Sequence, residues 1–250
     1  MSLDSPFELL ALVGAGFVAS TLNVIAGGGS FLTLPLLIFF GLPAVEANAT
    51  NRLGVLVQNI GGVWGFHRHR VLDWGLALRA SVPALAGAVL GTWLALQIPD
   101  RDFRRILATL MVVVTLWTLF DRGGRAAAVL ARLRHKQIVL AIGWALAGVY
   151  AGFIQAGVGF ILLAVVTVAG LDLVRGNAVK VFIILVTTTL SLAWFAWEGK
   201  VAWVPGTALA VGALAGSLLG VRLTVLKGHA WVRGVVSVAI VVFAIKLWLG

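Results

Sequence analysis

The sequence predicts an all-α polytopic membrane protein with two inverted repeats, and three observations lead to that prediction. Of the 250 residues, 61% are hydrophobic and 11% are charged, and the mean hydropathy is +1.06, outside the range of soluble proteins. The apolar runs are apolar on every side instead of alternating, which excludes a transmembrane barrel. The second half of the chain also repeats the first.

Each half contains five apolar runs, which we label A to E in chain order. They cover residues 7–26, 30–41, 46–66, 74–97 and 103–120 in the first half, and 137–155, 159–170, 175–196, 203–224 and 232–249 in the second. A membrane-spanning helix needs about 20 residues, so A, C, D and E are long enough to span. Each repeat is therefore expected to have three to four long transmembrane helices, plus a short or re-entrant helix B after a Gly-rich break.

The two halves align without a gap at an offset of 129 positions, which defines an internal repeat. Asn48 matches Asn177 and Trp74 matches Trp203, and these residue types rarely match by chance in a chain rich in Ala, Leu, Val and Gly. The predicted organisation is a first membrane repeat over residues 6–120, a basic cytoplasmic linker over 121–136 and an inverted second membrane repeat over 137–249.

The number of crossings and the distribution of charge predict that the second repeat is inverted. Each half has five crossings if A and B both cross, or three if they form a re-entrant hairpin, and an odd number inverts the second copy. With both termini outside, most Lys and Arg residues fall in cytoplasmic loops, as the positive-inside rule requires. If B is ignored, four crossings in each half make the repeats parallel, and this alternative stays open.

Small residues form a ridge along each D run. Gly87 and Gly91 are four residues apart, as are their counterparts Gly216 and Gly220. This spacing places them on one helix face, where neighbouring backbones can approach closely. The ridges therefore predict helix packing.

The Gly-rich breaks are candidate anion sites. Inverted repeats with Gly-interrupted short helices are typical of transporters, because the second piece of a broken helix begins with unpaired N–H groups and the positive end of its dipole. The alternative is that these glycines mark only a turn or tight packing. The candidate residues in the breaks are Gly27, Gly28, Gly29, Ser30, Gly157 and Gly159.

Polar residues form a stripe along each C run, because they advance by three or four positions. Alternatives are hydrogen bonding between helices and, for the cations in these runs, snorkelling of the side chain to the membrane surface. The candidate substrate-binding residues in the stripes are Asn48, Asn51, Gln58, Asn177, Lys180 and Thr187. Thr50, a polar residue of the same segment that lies outside the stripe, is a further candidate.

Several function classes are disfavoured by residues that are missing or misplaced. The chain has no cysteine, and its nine acidic residues lie at helix ends or in loops. Its four histidines lie in basic loops without metal-ligand spacing. The sequence therefore predicts no enzyme, catalytic residue, metal site or cofactor. The net charge of +10 comes mainly from short loops, as expected for a membrane protein, and does not indicate nucleic-acid binding.

The AGGGSFLTLPLL run after a first apolar helix, the ANATN segment that begins run C and the His-Arg-His-Arg loop resemble the sulfite exporter TauE/SafE family. The resemblance covers essentially the whole chain. It implies a multi-pass carrier in the bacterial inner membrane for sulfite, sulfonates or related organic anions, commonly in the export direction. The second Gly-rich motif departs from the family pattern, because Val158 interrupts it and no proline corresponds to Pro35.

We expect a small oxyanion to bind between the two C helices and the two breaks, with Lys180 supplying positive charge. Export of an anion is downhill in a cell that is negative inside, so the membrane potential could drive it without a proton relay. Uptake by the same fold and a non-transporting membrane assembly factor remain rivals. The predicted partners are a small anionic substrate and the lipid bilayer, and a homodimer is left open.

Overall fold

The computed structural model describes the backbone of residues 5–120 and 136–249, and the side chains of residues 5–113 and 137–227. Every regular element in these ranges is a helix, which confirms the predicted all-α class. The first half comprises α1 (Pro6–Ile25), α2 (Ser30–Phe39), α3 (Ala44–Arg68), α4 (Trp74–Gln97) and α5 (Asp100–Phe120). The second comprises α6 (Lys136–Phe153), α7 (Val158–Ala169), α8 (Leu173–Trp197) and α9 (Trp203–Leu249). Residues 121–135 of the predicted linker lie outside the described residues.

Four of the described helices are long and apolar enough to cross a membrane, judged by length and composition. These segments are Pro6–Ile25, Trp74–Gln97, Leu173–Trp197 and Trp203–Lys227. Helices α2 and α7 contain 10 and 12 residues, which is too short to cross a hydrocarbon core of about 30 Å. The prediction that run B forms a short helix in each half is therefore confirmed.

The second half departs from the prediction at its C-terminal end. Runs D and E were expected to form separate helices over residues 203–224 and 232–249, but α9 is continuous through both. In the first half, Pro99 separates α4 from α5, because a proline disfavours helical backbone at the preceding residue. The residue 129 positions after Pro99 is Gly228, which lacks that constraint. The prediction that runs D and E form separate helices in the second half is therefore wrong.

The two halves pack reciprocally through the predicted glycine ridges. Gly87 of α4 lies directly against the Ala145 carbonyl of α6, and Gly216 of α9 lies against the Phe17 carbonyl of α1. Any side chain at these glycines would collide with backbone. The same close approach occurs at Gly16, Gly91, Gly148, Gly152 and Gly212. The helix formed by run A of each half therefore packs on the helix formed by run D of the other half.

The equivalent helices α3 and α8 run in opposite directions where they meet. Gly62 lies against Val181, and the Arg52 guanidinium lies 5.0 Å from the centre of the Phe195 ring. From the first contact to the second, the residue number falls along α3 and rises along α8, so the two helices are antiparallel. An inverted repeat requires this of its equivalent helices, and the orientation of the halves relative to a membrane stays a prediction.

The Gly87→Ala variant tests the packing of the ridges. Its new methyl group would meet the Ala145 carbonyl, so we expect a loss of about 1–3 kcal/mol in the free energy of unfolding. Gly14→Ala is the matched control, because a Cβ at Gly14 has nothing within 4 Å. Thermal unfolding of the purified proteins in detergent compares them, and equal melting temperatures would contradict the packing role.

Candidate functional site

The two Gly-rich breaks meet at the centre of the molecule. Gly27 has φ = 99° and Gly157 has φ = 77°, a left-handed conformation that side chains disfavour. Gly27 packs against the backbone of Gly159, with no room for a Cβ between them. The rings of the repeat-equivalent residues Phe31 and Phe160 stack with their centres 6.2 Å apart. The breaks therefore support each other directly.

The C-terminal end of α1 is capped by side chains of α8. The last carbonyls of any helix have no partner within it, and inside a membrane water does not supply one. Lys180 Nζ donates to the carbonyls of Asn23 at 2.9 Å and Val24 at 3.1 Å. Asn177 Nδ2 donates to the Ile25 carbonyl at 3.0 Å, while its Oδ1 accepts from Lys180 Nζ at 2.6 Å.

The C-terminal end of α6 is capped in the same way by α3. Arg52 Nη2 donates to the Gly152 carbonyl at 2.7 Å, and Nη1 donates to Gln155 Oε1 at 3.1 Å. Asn48 Nδ2 donates to the Phe153 carbonyl at 3.0 Å. Each C helix therefore caps the A helix of the opposite half. We call these two sets of hydrogen bonds the reciprocal caps.

The reciprocal caps account for the two buried cations. Lys180 and Arg52 are both 0% exposed, and each lies at a helix C-terminus, where the helix dipole favours positive charge. All three Nζ protons of Lys180 have protein acceptors. A direct role for Lys180 in binding an anion would require some of these bonds to break.

A cavity with an empty volume of about 230 Å³ lies between α1, α2, α3 and α9, and we call it the first-half cavity. That volume includes space open to solvent, and the space available to the centre of a water-sized molecule is about 10 Å³, roughly the room for a single water. A larger ligand therefore needs the surrounding helices to move apart. Its polar side chains come from α1, α2 and α3. The lining residues are Gly16, Ala19, Ser20, Gly29, Ser30, Thr33, Asn51, Gly54, Val55, Gln58, Leu209 and Ala213.

Unused hydrogen-bond donors are present in this cavity. Asn51 is 2% exposed, and its Nδ2 has no partner, whereas its Oδ1 accepts from Thr33 Oγ1 at 2.6 Å. Gly29 and Ser30 lie at the start of α2, where N–H groups lack intrahelical acceptors. A buried donor without a partner costs about 1–3 kcal/mol, so a ligand that accepts from Asn51 would relieve this cost.

The cavity brings together four of the predicted site residues, Gly29, Ser30, Asn51 and Gln58. Thr50 Oγ1 instead accepts from the backbone N–H of Ala202 at 3.0 Å, and Thr187 Oγ1 donates to the Ile183 carbonyl of its own helix at 2.9 Å. The predicted residues outside the lining of this cavity are Gly27, Gly28, Asn48, Thr50, Gly157, Gly159, Asn177, Lys180 and Thr187.

Other lining residues were missed by the sequence analysis. Thr33 follows Ser30 by three positions in an otherwise apolar helix, and that spacing could have identified it. Ser20 donates to the Ala213 carbonyl at 2.7 Å, so it also joins α1 to α9. Leu209 and Ala213 have no sequence signal, because they are apolar residues of a distant helix.

Three of the five polar residues that line the first-half cavity have apolar counterparts in the second half. The counterparts of Ser20, Ser30 and Thr33, 129 positions later, are Val149, Gly159 and Leu162. Asn51 is replaced by Lys180, whose amine is part of a reciprocal cap. The polar lining is therefore one-sided, whereas the sequence analysis expected both halves to contribute side chains.

Comparison with known proteins identifies relatives along almost the entire chain. The family model described as "Sulfite exporter TauE/SafE" matches residues 12–247. A probable membrane transporter protein of Haemophilus influenzae is 29% identical, covering 94% of this chain and 93% of the relative. The probable membrane transporter protein YfcA of Escherichia coli K12 is 28% identical, covering 97% of this chain and 90% of the relative. No solved structure matches significantly.

The Lys180→Met variant separates a capping role from a ligand-binding role. Removal of the amine leaves the carbonyls of Asn23 and Val24 unpaired, so we expect the free energy of unfolding to fall by about 3 kcal/mol. The matched control is Lys227→Met, at an exposed position. Thermal unfolding in detergent measures both. Normal stability together with a lost response to anions would contradict the capping role and favour direct binding.

Proposed function

The chain belongs to the sulfite exporter TauE/SafE family, and from that premise we propose that it exports a small oxyanion, sulfite or a sulfonate, across the bacterial inner membrane. The family and its relatives make it a membrane transporter. The nature of the cargo, the direction and the membrane are parts of the proposal. The binding site we propose is the first-half cavity.

The observation that carries the proposal is the unpartnered Asn51 Nδ2 beside the start of α2. The N–H groups of Phe31 and Leu32 already donate to the carbonyls of Gly28 and Gly29. The Asn51 amide and the backbone N–H groups of Gly29 and Ser30, which line the cavity, can donate to one oxyanion, while the helix dipole adds partial positive charge. Ser30 contributes a hydroxyl to the same wall. An oxyanion with several acceptor oxygens fits this arrangement better than a cation does, because a cation would face donors.

We propose that the membrane potential drives export. None of the described residues that line the cavity has a carboxylate, so the site itself holds no proton carrier. Moving one negative charge outward across 100 mV releases about 2.3 kcal/mol, which is enough for downhill export.

Reconstituted vesicles loaded with sulfite test the driving force. With the internal pH held fixed, efflux is expected to rise with an imposed potential that is negative inside, and to be insensitive to the external pH. Efflux that follows the pH gradient and ignores the potential would contradict potential-driven export. Glu8 is then the residue to replace, because its side chain is 4% exposed and its Oε2 has no partner.

Two rival functions are separated by experiment. If the protein takes up a sulfonate, flux in whole cells runs inward instead of outward. If it is a membrane assembly factor, its partner protein still matures when the cavity is altered, whereas a carrier loses transport.

The Asn51→Ala and Thr33→Val variants test the cavity. Asn51→Ala removes the free donor, and we expect sulfite efflux to fall about tenfold, which corresponds to the loss of one hydrogen bond to a charged group, about 1.5 kcal/mol. Thr33→Val leaves Asn51 Oδ1 unpaired and is expected to reduce efflux by several-fold. Thr189→Val is the control, since Thr189 is exposed and bonds only to its own helix. Normal efflux by Asn51→Ala would contradict this site.

A further inference from the structure

We infer that the first-half cavity selects a singly charged anion over a doubly charged anion of the same shape. This inference rests on the proposed function, because it assigns the charge class of the anion bound at that site. It follows from which charged groups the fold places near the cavity and which it keeps away.

The lining offers only neutral donors. None of the described residues around the cavity has a charged side chain, and some polar groups are already in use. Ser20 donates to the Ala213 carbonyl, and Thr33 donates to Asn51 Oδ1. The donors left for a ligand include Asn51 Nδ2, the Ser30 hydroxyl and the backbone N–H groups of Gly29 and Ser30.

The buried cations of the C helices are held elsewhere. Lys180 directs its three bonds to Asn23, Val24 and Asn177, and Arg52 is bound to Gly152 and Gln155. Neither cation lines the cavity. The negative ends of α1 and α6, each equivalent to about half an elementary charge, offset part of their charge, and the described hydrogen bonds of both cations go to groups outside the lining of the cavity.

An anion in this cavity therefore meets the partial positive charge of one helix end, equivalent to about half an elementary charge. The cost of removing an ion from water rises with the square of its charge, so a dianion costs about four times as much as a monoanion of equal radius. The attraction to the donors rises only in proportion to the charge. Without a cation at the site, the balance favours the monoanion.

The chemical consequence is a preference for a sulfonate head group, or for sulfite in its singly protonated form. Both present several acceptor oxygens with a single negative charge. Sulfate and fully deprotonated sulfite have similar shapes but carry two charges. The cavity would therefore bind them weakly.

The test on the wild-type protein uses methanesulfonate and sulfate, which are nearly equal in size and differ in charge at neutral pH. Thermal-shift titrations of the purified protein give the apparent affinity of each, because a ligand of the folded state raises the melting temperature. We expect methanesulfonate to bind at least tenfold more tightly. The same ratio is expected when each anion competes with sulfite efflux from vesicles.

The Asn51→Lys variant tests the physical cause. It introduces at the cavity the residue type that the second half has at the equivalent position, Lys180. With a cation present, the preference for methanesulfonate over sulfate is expected to shrink at least tenfold or reverse. His69→Lys adds the same charge in the exposed turn that follows α3 and is expected to leave the preference unchanged.

The outcomes separate this inference from the proposed function. Equal or tighter binding of sulfate by the wild-type protein overturns the charge selection and leaves the anion site standing. A response to neither anion overturns both. An unchanged preference in a folded Asn51→Lys variant contradicts the cavity as the origin of the selection. If that variant does not fold, the wild-type comparison still decides.

Discussion

The need to satisfy buried helix ends shapes the centre of this protein. Helices α1 and α6 end beside buried residues such as Ile25 and Ile154, and their last carbonyls require hydrogen-bond donors from the protein. Asn177 and Lys180 supply the donors for one end, and Asn48 and Arg52 supply them for the other. Each set comes from the opposite half of the chain. The reciprocal caps therefore make the breaks tolerable and fasten the halves together.

The caps also determine what is left for binding. Lys180 and Arg52 are the cations that a substrate anion would be expected to seek, yet Lys180 Nζ and Arg52 Nη2 donate to helix carbonyls. The polar groups of the first-half cavity are neutral, and one of them, Asn51 Nδ2, has no partner. The fold thus separates structural positive charge from the proposed binding site. At that site, this separation would let a weakly attractive surface bind an anion and still release it, which transport requires.

The reciprocal packing borders the first-half cavity. Backbone contacts at glycines such as Gly87 and Gly216 join helix A of one half to helix D of the other, and Ser20 and Thr21 of α1 also donate to carbonyls of α9. The first-half cavity lies beside one of these contacts, because Gly16 and Leu209 line it and also touch each other. A shift of α9 against α1 would change the shape of the cavity directly.

The sequence by itself determined the class, the repeat and the short helix after each break, because hydropathy, run length and glycine position are local properties of the chain. It also singled out Ser30, Asn51 and Gln58, which line the proposed site, since polar residues in an apolar chain are conspicuous. Only the tertiary structure decided that Asn48, Arg52, Asn177 and Lys180 cap helix ends, and that the polar lining of the cavity belongs to one half. The bonding of a side chain such as Lys180 depends on which carbonyls the opposite half brings within reach, and no spacing along the chain encodes that distance.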